Sequence, residues 1–380
     1  MNKVEKLLTQ LCPDGVPRFR VIEVCVRHSG LPLTAGQMKV LNTDRGDVRI
    51  FAGGQTIADV NSADINGQFI EGPGLIVKSR GIIDFEFWLG RYSHKNELWS
   101  YKPRADNLEL KFLYYFLKTK VLEVQSIAKA NSVKMPQIKV GDIDDMLIPL
   151  PPLEVQQEIV GILDTFTELE AELEAELEAR KIQYESYRNH LLSFRDVKAE
   201  KVRWIPLGEI CEMSWGNTSI TKASYIDSTH GYLAYSAAGP DGLLPGFEFD
   251  RDAIVLSAIG ARCGKTYFAT GKWTCIKNTM YFYSKDSQVL DKYLFWYTNR
   301  ESFWPRSSSA QPFISLGDAR NLVVPIPDLE TQKLIVNSMD KLDALVNDIS
   351  IGLPAEIAAR RQQYEYYQNK LLTFKKLEVA

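Results

Sequence analysis

Apolar residues follow two different patterns along this chain. Within residues 1–148, and again within 195–324, short apolar or aromatic runs are bounded by Gly, Pro and Asn, which is typical of strands. Each region also predicts one helix, near Leu110–Thr119 and near Asp291–Asn299. The clearest strand predictions are Gly74–Lys78, Asp252–Ser257 and Thr279–Tyr283. Both regions are therefore predicted to be globular and to mix helices with strands.

After each globular region the apolar residues recur in heptads. Pro149, Pro151 and Pro152 mark the end of the last strand of the first region. Because proline is excluded from a helix interior, the next helix must begin after them. The heptads that follow are typical of a coiled-coil helix from about Leu153 to Phe194, which would be roughly 60 Å long. Its two apolar rows are Ile159, Phe166, Leu173 and Tyr187, and Leu163, Leu177, Tyr184 and Leu191.

A second helix with this pattern is predicted after the second globular region. We expect a break or kink in it near Gly352–Pro354, since these residues disrupt helices. Antiparallel pairing of the two helices would bury both apolar seams. The alternative is two unrelated amphipathic helices, each packed on its own domain. The seam positions of the second helix are Ile335, Leu342, Ile349, Tyr364, Tyr367 and Leu371.

The chain contains an internal repeat. The block PLPPLEVQQEIV at 149–160 returns as PIPDLETQKLIV at 325–336, and the block Ala179–Phe194 returns as Ala359–Phe374. Weaker matches precede each helix, so one module of globule and helix is used twice. Because Lys6-Leu-Leu also resembles the end of each helix, we expect approximate two-fold symmetry with the N-terminal and C-terminal segments adjacent.

Charge is distributed unevenly between these parts. The net charge is −3, but segment 149–194 alone holds 10 acidic and 3 basic residues, and the globular regions are mildly basic. That balance permits phosphate binding without demonstrating it. Three tandem Glu-Leu-Glu-Ala tetrapeptides at 168–179 favour helix, and each would add about 6 Å and about 40° of net rotation. They are interpreted as an adjustable spacer.

Cysteine and histidine usage argues against several site types. Five cysteines without a Cys-x-x-Cys pair, and four isolated histidines, predict neither a disulfide framework nor a metal site and fit a reducing cytosol. The sequence shows no signal peptide and no apolar run long enough for a membrane helix. We therefore expect a cytoplasmic protein that makes no membrane contact.

Two short motifs resemble catalytic sites only in part. Gly260–Thr266 has three residues between its glycines, whereas a phosphate-binding loop needs four. A strand rather than a helix is predicted next. We therefore interpret the segment as a β-turn whose Arg262 and Lys265 could reach phosphate. The segment Pro327–Lys333 is interpreted as a helix cap rather than a nuclease carboxylate cluster. Methyl-donor and nucleophile–base motifs are absent from the sequence.

The whole chain resembles the specificity subunits of type I restriction–modification enzymes. The resemblance rests on Pro-x-Pro-x-Leu-Glu-x-Gln at 149–156 and 325–332, on Gln-Tyr-Glu-x-Tyr before Leu-Leu-x-Phe in each helix, and on Trp204–Ile210 opening the second half. The first half departs from this opening, since Arg18–Glu23 stands in its place.

This resemblance implies a fold and its divisions. The fold class is α/β (mixed α+β), with two globular target recognition domains separated by two long antiparallel coiled-coil helices in a pseudo-two-fold repeat. The expected divisions are a first target recognition domain at 1–148, a central spacer helix at 149–194, a second target recognition domain at 195–324 and a distal spacer helix at 325–380.

The resemblance also implies function and partners. Each target recognition domain would read one half of a bipartite, asymmetric site in double-stranded DNA. The helices would set the gap between the halves and hold two modification subunits, which methylate adenine with S-adenosylmethionine. Restriction subunits would supply ATP- and Mg²⁺-dependent translocation and cleavage. The chain itself would hold no cofactor and would not be an enzyme.

Candidate DNA contacts are polar residues in turn-rich stretches, because loops on a rigid scaffold carry recognition. Lys and Arg suit phosphates, whereas Arg, Asn, Gln and Ser or Thr suit base edges. The alternative at each position is an ordinary solvated residue. The candidates are Lys78, Arg80, Asn131, Ser132, Lys134 and Gln137 in the first half, and Asn217, Thr218, Lys222, Arg262, Lys277, Asn278, Arg306 and Gln311 in the second.

Two other classes of function remain open from the sequence. A coiled-coil scaffold or adaptor would bind protein through its globular domains, and salt-sensitive DNA binding by the assembled complex would separate it from a DNA reader. A stand-alone nuclease or methyltransferase would turn over DNA given S-adenosylmethionine and magnesium.

Overall fold

The computed structural model describes residues 3–131, 134–194, 202–228, 230–307, 311–347 and 352–377. The chain divides into two compact units. The first unit comprises Met1–Glu174 with Ile357–Ala380, and the second comprises Ala175–Glu356. Each unit therefore combines one globular region with parts of both predicted long helices.

The first unit consists of two main sheets with helices packed on them. Its helices are α1 (Lys3–Leu11), α2 (Val21–Val24), α3 (Ala35–Leu41), α4 (Leu110–Thr119), α5 (Val121–Asn131), α6 (Val140–Asp144) and the first part of α7 (Leu153–Leu191). Its strands are β1 (Arg18–Arg20), β2 (Cys25–Ser29), β3 (Val48–Phe51), β4 (Ile57–Val60), β5 (Gly74–Lys78), β6 (Asp84–Trp88), β7 (Tyr92–His94), β8 (Trp99–Pro103) and β9 (Leu147–Pro149).

Strand order defines the first unit's sheets. β2, β8, β5 and β6 form an antiparallel sheet in that order, and β4, β3 and β7 form a second sheet in which β3 and β7 run parallel. A separate antiparallel pair joins β1 to β9, the strand that leads into α7.

The second unit repeats this construction. Its strands are β10 (Arg203–Pro206), β11 (Cys211–Trp215), β12 (Tyr232–Ser236), β13 (Gly239–Leu244), β14 (Phe249–Asp250), β15 (Ala253–Ser257), β16 (Thr266–Ala269), β17 (Lys272–Cys275), β18 (Thr279–Ser284) and β19 (Val323–Ile326). Its helices are the second part of α7, α8 (Leu207–Ile210), α9 (Asp291–Thr298), α10 (Leu316–Asn321) and α11 (Leu329–Asn347). The sheet orders are β11-β18-β15-β16, β13-β12-β17-β14 and β10-β19, which match those of the first unit apart from the added β14.

The central strand of each main sheet is buried on both faces. In β5, Leu75 and Val77 join the core beneath α4, whereas Ile76 joins the apolar cluster against the second sheet. In β15, Ile254 and Leu256 likewise face one cluster and Val255 the other. Because alternate side chains point to opposite faces, a strand covered on both sides needs a continuous apolar run, and the predicted strands here are confirmed.

Helix packing fulfils the heptad prediction within each unit. In the first unit α12 (Leu353–Leu371) lies antiparallel to the start of α7. Phe166 stacks on Tyr367 at 5.4 Å between ring centroids, and Arg361 bonds Glu170 at 2.6 Å and also pairs with Glu174. In the second unit, the end of α7 and α11 share an apolar cluster that includes Leu177, Tyr184, Leu191, Leu342 and Val346.

The helix ends show where the heptads stop. α7 ends at Leu191 rather than Phe194, because Phe194 has a left-handed backbone with φ of 53°. The predicted interruption near Gly352 is confirmed, since α11 ends at Asn347, Gly352 lies in a bend and α12 begins at Leu353. Ile349, a predicted seam position, lies outside the described residues.

The predicted helix cap before α11 is also confirmed. The Asp328 carboxylate accepts hydrogen bonds from the Thr331 backbone N–H (2.9 Å) and from the Thr331 hydroxyl (3.1 Å). These bonds satisfy a backbone donor that the first turn of a helix leaves free. The segment therefore caps the helix, as the sequence predicted.

The N-terminal and C-terminal segments of the described chain lie side by side in the first unit. Val16 N–H donates to the Lys375 carbonyl (2.9 Å), and Leu377 N–H donates to the Val16 carbonyl (3.2 Å). Gly15, with φ of 125°, lies so close to Lys376 that a Cβ would be 2.8 Å from its backbone. The predicted adjacency of these segments is confirmed.

Candidate nucleic-acid interface

Loops at one end of the first unit are tied to one another. Gly81 N–H donates to the Pro136 carbonyl (2.9 Å), and Ile138 N–H donates to the Ser79 carbonyl (3.0 Å). The Ser79 hydroxyl also donates to the Glu97 carbonyl. These bonds hold three loops as one surface, which we call the first loop face and define as residues 79–82, 95–97 and 134–138.

The second unit repeats the two backbone bonds at corresponding positions, and its third bond comes from a backbone N–H instead of a side-chain hydroxyl. Gly260 N–H donates to the Pro312 carbonyl (2.9 Å), Ile314 N–H donates to the Ala258 carbonyl (2.9 Å), and Ala258 N–H donates to the Asn278 carbonyl (3.0 Å). Gly81 and Gly260 both have left-handed φ values, 79° and 103°, which favour glycine at the turn. The second loop face is defined as residues 236–239, 258–264, 276–278, 306–307 and 311–314.

The turn at Gly260 is not a phosphate-binding loop. Strand β16 begins at Thr266 directly after it, so no helix N-terminus lies there to bind phosphate. The interpretation of Gly260–Thr266 as a turn before a strand is confirmed.

Three predicted contacts lie on the first loop face. Arg80 and Gln137 form a backbone bridge with each other and are exposed, and Lys134 is exposed on the same segment as Gln137. Within the described parts of the chain, the side chains of Arg80 and Lys134 have no hydrogen bond or ion pair. Cations without a protein partner can bind phosphate or a base edge at no cost in lost ion pairs.

The other three first-half candidates are placed differently. Lys78 is only 12% exposed in its side chain and pairs with Glu86 at 2.7 Å, within the β5–β6 ladder. Asn131 is the last residue of α5, and Ser132 lies outside the described residues. The structure therefore places Lys78 in the strand ladder rather than on the first loop face.

The second loop face gathers Arg262, Lys277 and Asn278. Arg262 donates from Nη1 to the Ala238 carbonyl (2.6 Å), so one end of its guanidinium is held across two loops. Lys277 and Asn278 are exposed, and Asn278 has a left-handed φ of 69°. Lys222, Lys277 and Asn278 line one open cleft of about 480 Å³. The cleft is concave and is lined by two lysines, so its shape and charge suit part of a nucleotide.

Lys222 is engaged by a carboxylate on its side of the cleft. Burial alone would raise the pKa of Asp241, but its hydrogen bonds with Lys222, Ser236 and Tyr225 outweigh this and lower it. The Ser236 hydroxyl and the Tyr225 hydroxyl each donate to Asp241 at 2.7 Å. Asp241 thus stays ionised and holds Lys222, which leaves Lys277 as the freer cation.

The remaining second-half candidates lie around this face. Asn217 bonds Glu248 through its side-chain amide and accepts from Ser219 N–H (2.8 Å), so it shapes its own loop, and Thr218 is exposed beside it. Arg306 packs on Gly264, whose missing Cβ would lie 2.9 Å from the guanidinium. Gln311 is exposed next to Pro312.

Sequence reasoning missed the apolar residues of both faces. Ile82 and Met135 on the first face are 63% and 47% exposed, and Phe313 on the second is 47% exposed. Asn96 was missed as well, although it corresponds to Lys277, because β3–β7 and β12–β17 share one register. An aligned repeat would have identified Asn96, whereas an apolar residue inside a polar turn is the only sequence signal for the others.

Other kinds of site find no support among the described residues. No group of three or more His, Cys, Asp or Glu side chains there could hold a metal ion, and the five cysteines are free. None of the described helices combines the length and the apolar composition that a membrane span requires.

The fold defines a class of protein: one built from a single α/β module used twice, with one loop face in each copy. Comparison with known proteins gives the family. A family model described as "Type I restriction modification DNA specificity domain" matches residues 34–179 and 200–359. The chain therefore belongs to the type I restriction–modification specificity subunit family, whose general function is DNA sequence recognition together with other subunits.

Named relatives agree with this assignment. The chain is 31% identical over 309 residues to the Escherichia coli type I restriction enzyme EcoR124I/EcoR124II specificity subunit, covering 71% of this chain and 72% of that protein. It is 26% identical over 310 residues to the Mycoplasma pneumoniae type I restriction enzyme MpnII specificity subunit, covering 64% and 93%. In fold it is similar to the crystal structure of a type I S subunit from M. genitalium, with a TM-score of 0.62, 17% identity and coverage of 94% and 96%.

Proposed function

We propose that this chain is the non-catalytic subunit that reads a bipartite, asymmetric DNA site for a type I restriction–modification complex. Each loop face reads one half of the site in double-stranded DNA. Two modification subunits bind the chain and methylate adenine, and restriction subunits join them. S-adenosylmethionine, ATP and Mg²⁺ are bound by those partners rather than by this chain.

One observation carries the proposal: the same scaffold is used twice, but its loop faces differ. The backbone bonds Gly81–Pro136 and Gly260–Pro312 are equivalent, whereas the side chains around them are not. Two copies of one frame place two readers alike, and different side chains give each a different preferred sequence. An asymmetric split site is the expected target of such a pair.

In this proposal the long helix α7 sets the distance between the two loop faces. α7 is one continuous helix of 39 residues, about 58 Å long at about 1.5 Å per residue. The tandem tetrapeptides at 168–179 lie within it, and most of their residues are exposed. Apart from Leu177, which packs against the apolar cluster of the second unit, these tetrapeptides contribute no side chain to the two main apolar clusters, so the number of copies can change there.

The direct test is the pattern of methylated adenines in the host genome, with and without this gene. A split motif that disappears on deletion of the gene and returns on complementation is the expected result. A scaffold that binds protein rather than DNA predicts instead that the assembled complex shows no salt-sensitive, sequence-selective DNA binding. Either the absence of a split motif or that binding result would refute the proposal.

Removal of one Glu-Leu-Glu-Ala copy is the sharper prediction. Four residues fewer shorten the helix by about 6 Å, against a duplex rise of about 3.4 Å per base pair, so the gap should shorten by about one or two base pairs. Both half-sites should stay the same, because neither loop face is altered. Methylome sequencing of the deletion strain measures both quantities, and an unchanged gap or altered half-sites would count against the spacer role.

A further inference from the structure

Each unit holds a fully buried glutamine at the start of its long helix. In the first unit, Gln156 is 0% exposed, and its amide donates to the Asn107 carbonyl (2.9 Å) and the Pro151 carbonyl (2.7 Å). Its side-chain oxygen accepts from Glu109 N–H (2.8 Å). One side chain thus joins the helix to the loop that precedes α4.

The second unit makes the same three bonds. Gln332, also 0% exposed, donates to the Gln288 carbonyl (2.9 Å) and the Pro327 carbonyl (2.9 Å) and accepts from Leu290 N–H (2.9 Å). Because the loop before α9 corresponds to the loop before α4, the two glutamines hold equivalent joints. They are the last residues of the two Pro-x-Pro-x-Leu-Glu-x-Gln blocks.

A second joint lies eight residues further along each helix. Asp164 accepts from the Tyr115 hydroxyl (2.5 Å) and pairs with Lys111 (2.8 Å), both on α4. Burial, followed by the bond to Asp164, raises the pKa of Tyr115, so its hydroxyl remains a donor.

The corresponding joint in the second unit is made by Asp340. It accepts from Trp296 Nε1 (2.8 Å) and pairs with Lys292 (3.6 Å), both on α9. The ring that donates is almost fully buried in each unit, since Tyr115 and Trp296 are 3% and 2% exposed.

Two joints constrain a helix in a way that one cannot. A helix held at one point can pivot, whereas two points eight residues apart, about 12 Å along the axis, fix its direction. A buried amide with its donors satisfied resists displacement, because an unpaired buried donor or acceptor costs about 1–3 kcal/mol. Each globular region is therefore fixed in angle on its own helix.

We propose that Gln156 with Asp164, and Gln332 with Asp340, are positioning residues that restrict the DNA site to a single gap length. This inference rests on the proposed function. If a globular region could tilt on its helix, its loop face would move along the duplex. A displacement of about 3.4 Å would bring it to the next base pair. Loosening a joint should then admit gaps one base pair longer or shorter while each half-site is read as before.

The test compares isosteric variants of the second unit in the assembled methyltransferase complex. Gln332→Glu removes both donors of the first joint, and Asp340→Asn removes the charge of the second joint but keeps an acceptor for Trp296. We expect methylation of sites with a gap altered by one base pair to rise at least about tenfold, with unchanged half-sites. Gln157→Glu, at an exposed position beside Gln156, and Asp343→Asn, on the same helix as Asp340, are the matched controls and should keep one gap.

The outcomes separate this inference from the proposed function. Variants that are folded, shown by a cooperative melting transition above the assay temperature, and that keep a single gap would overturn the positioning role alone. Uniform loss of methylation without new gaps would also overturn it, since that is what a purely structural role predicts. If Gln332→Glu does not fold, the milder Asp340→Asn decides the question. A wild-type complex that reads no split site would instead refute the proposed function.

Discussion

The two loop faces differ most at one equivalent position. On the first face the bridge after the central strand joins Arg80 to Gln137, and on the second face the matching bridge joins Ile259 to Phe313. The same backbone thus presents a guanidinium and an amide in one unit and an apolar pair in the other. Arg and Gln suit hydrogen-bonded reading of purines, whereas apolar side chains suit the thymine methyl group.

A similar exchange occurs inside the two units. Between the sheets of the first unit, the Tyr92 hydroxyl donates to the Ser100 hydroxyl (3.1 Å), and His94 Nε2 also lies 3.1 Å from the Ser100 hydroxyl. In the second unit Trp273 and Cys275 occupy the positions of Tyr92 and His94. The frame tolerates these changes because its strand pairing and helix joints depend on backbone bonds and a few buried side chains.

The largest expected effect comes from replacing Arg80 or Phe313, the proposed base contacts, by alanine. Arg80→Ala should relax discrimination at one base pair of the first half-site, and Phe313→Ala should do so at one base pair of the second, each by about 1–3 kcal/mol or about 5- to 150-fold. Competition binding with substituted half-sites measures this. The controls are Arg45→Ala, which lies before β3, and Phe247→Ala beside Tyr232 at the start of β12, both at the strand ends away from the loop faces.

The proposed difference between the two loop faces would be contradicted if either variant lowered base discrimination equally at both half-sites. It also fails if a control matches its test variant, because exposure rather than position would then explain the loss.

The next effect is acid sensitivity confined to the first unit. Burial lowers the pKa of His94 to about 4, so the folded unit keeps this ring neutral while the unfolded chain protonates below about 6.5. Stability is therefore intact above pH 7 and falls as the pH drops from about 6.5 towards 4, by about 2 kcal/mol between pH 7.5 and 5. Burial lowers the pKa of His28 in the same unit and acts in the same direction.

Hydrogen exchange of strands β7 and β8 against β17 and β18, at pH 7.5 and 5, measures this difference. The variant His94→Cys, which introduces the residue of the second unit, should be less stable at both pH values but should lose most of the pH dependence. An equal acid response in the two units would remove His94 as its cause.

The smallest effect should be common to both faces. Lys134→Ala and Lys277→Ala each remove one exposed cation, and each should lower the slope of log K against log salt concentration by about 0.9 if it contacts a phosphate. Lys78→Ala is the control, because Lys78 is already paired with Glu86. Titration of duplex DNA at several salt concentrations gives the slopes. A slope change with Lys78→Ala but not with the other two would contradict the assignment of the faces.

Periodicity predicted the repeated elements well and the irregular ones poorly. The predicted helix at Leu110–Thr119 is confirmed to the residue, because six of its side chains are buried and it carries a clear apolar face. The following helix α5 was not predicted, since within its residues 121–130 only Val124 and Ala128 have fully buried side chains and the apolar pattern is weak. Among the candidate contacts, the charge of Lys78 favours a phosphate contact, but Lys78 pairs instead with Glu86 across the β5–β6 strand pair.

The sequence by itself determined that one module occurs twice, that each copy continues into a heptad helix, and which family the chain resembles, because period, proline placement and repeated blocks are local properties of the chain. Only the tertiary structure decided which side chains share a loop face, which cations already have partners, and that Gln156 and Gln332 are buried joints rather than exposed helix residues. The glutamine joints depend on contacts between residues some 40 positions or more apart, and the partner of Lys78 depends on strand pairing, neither of which a local pattern encodes.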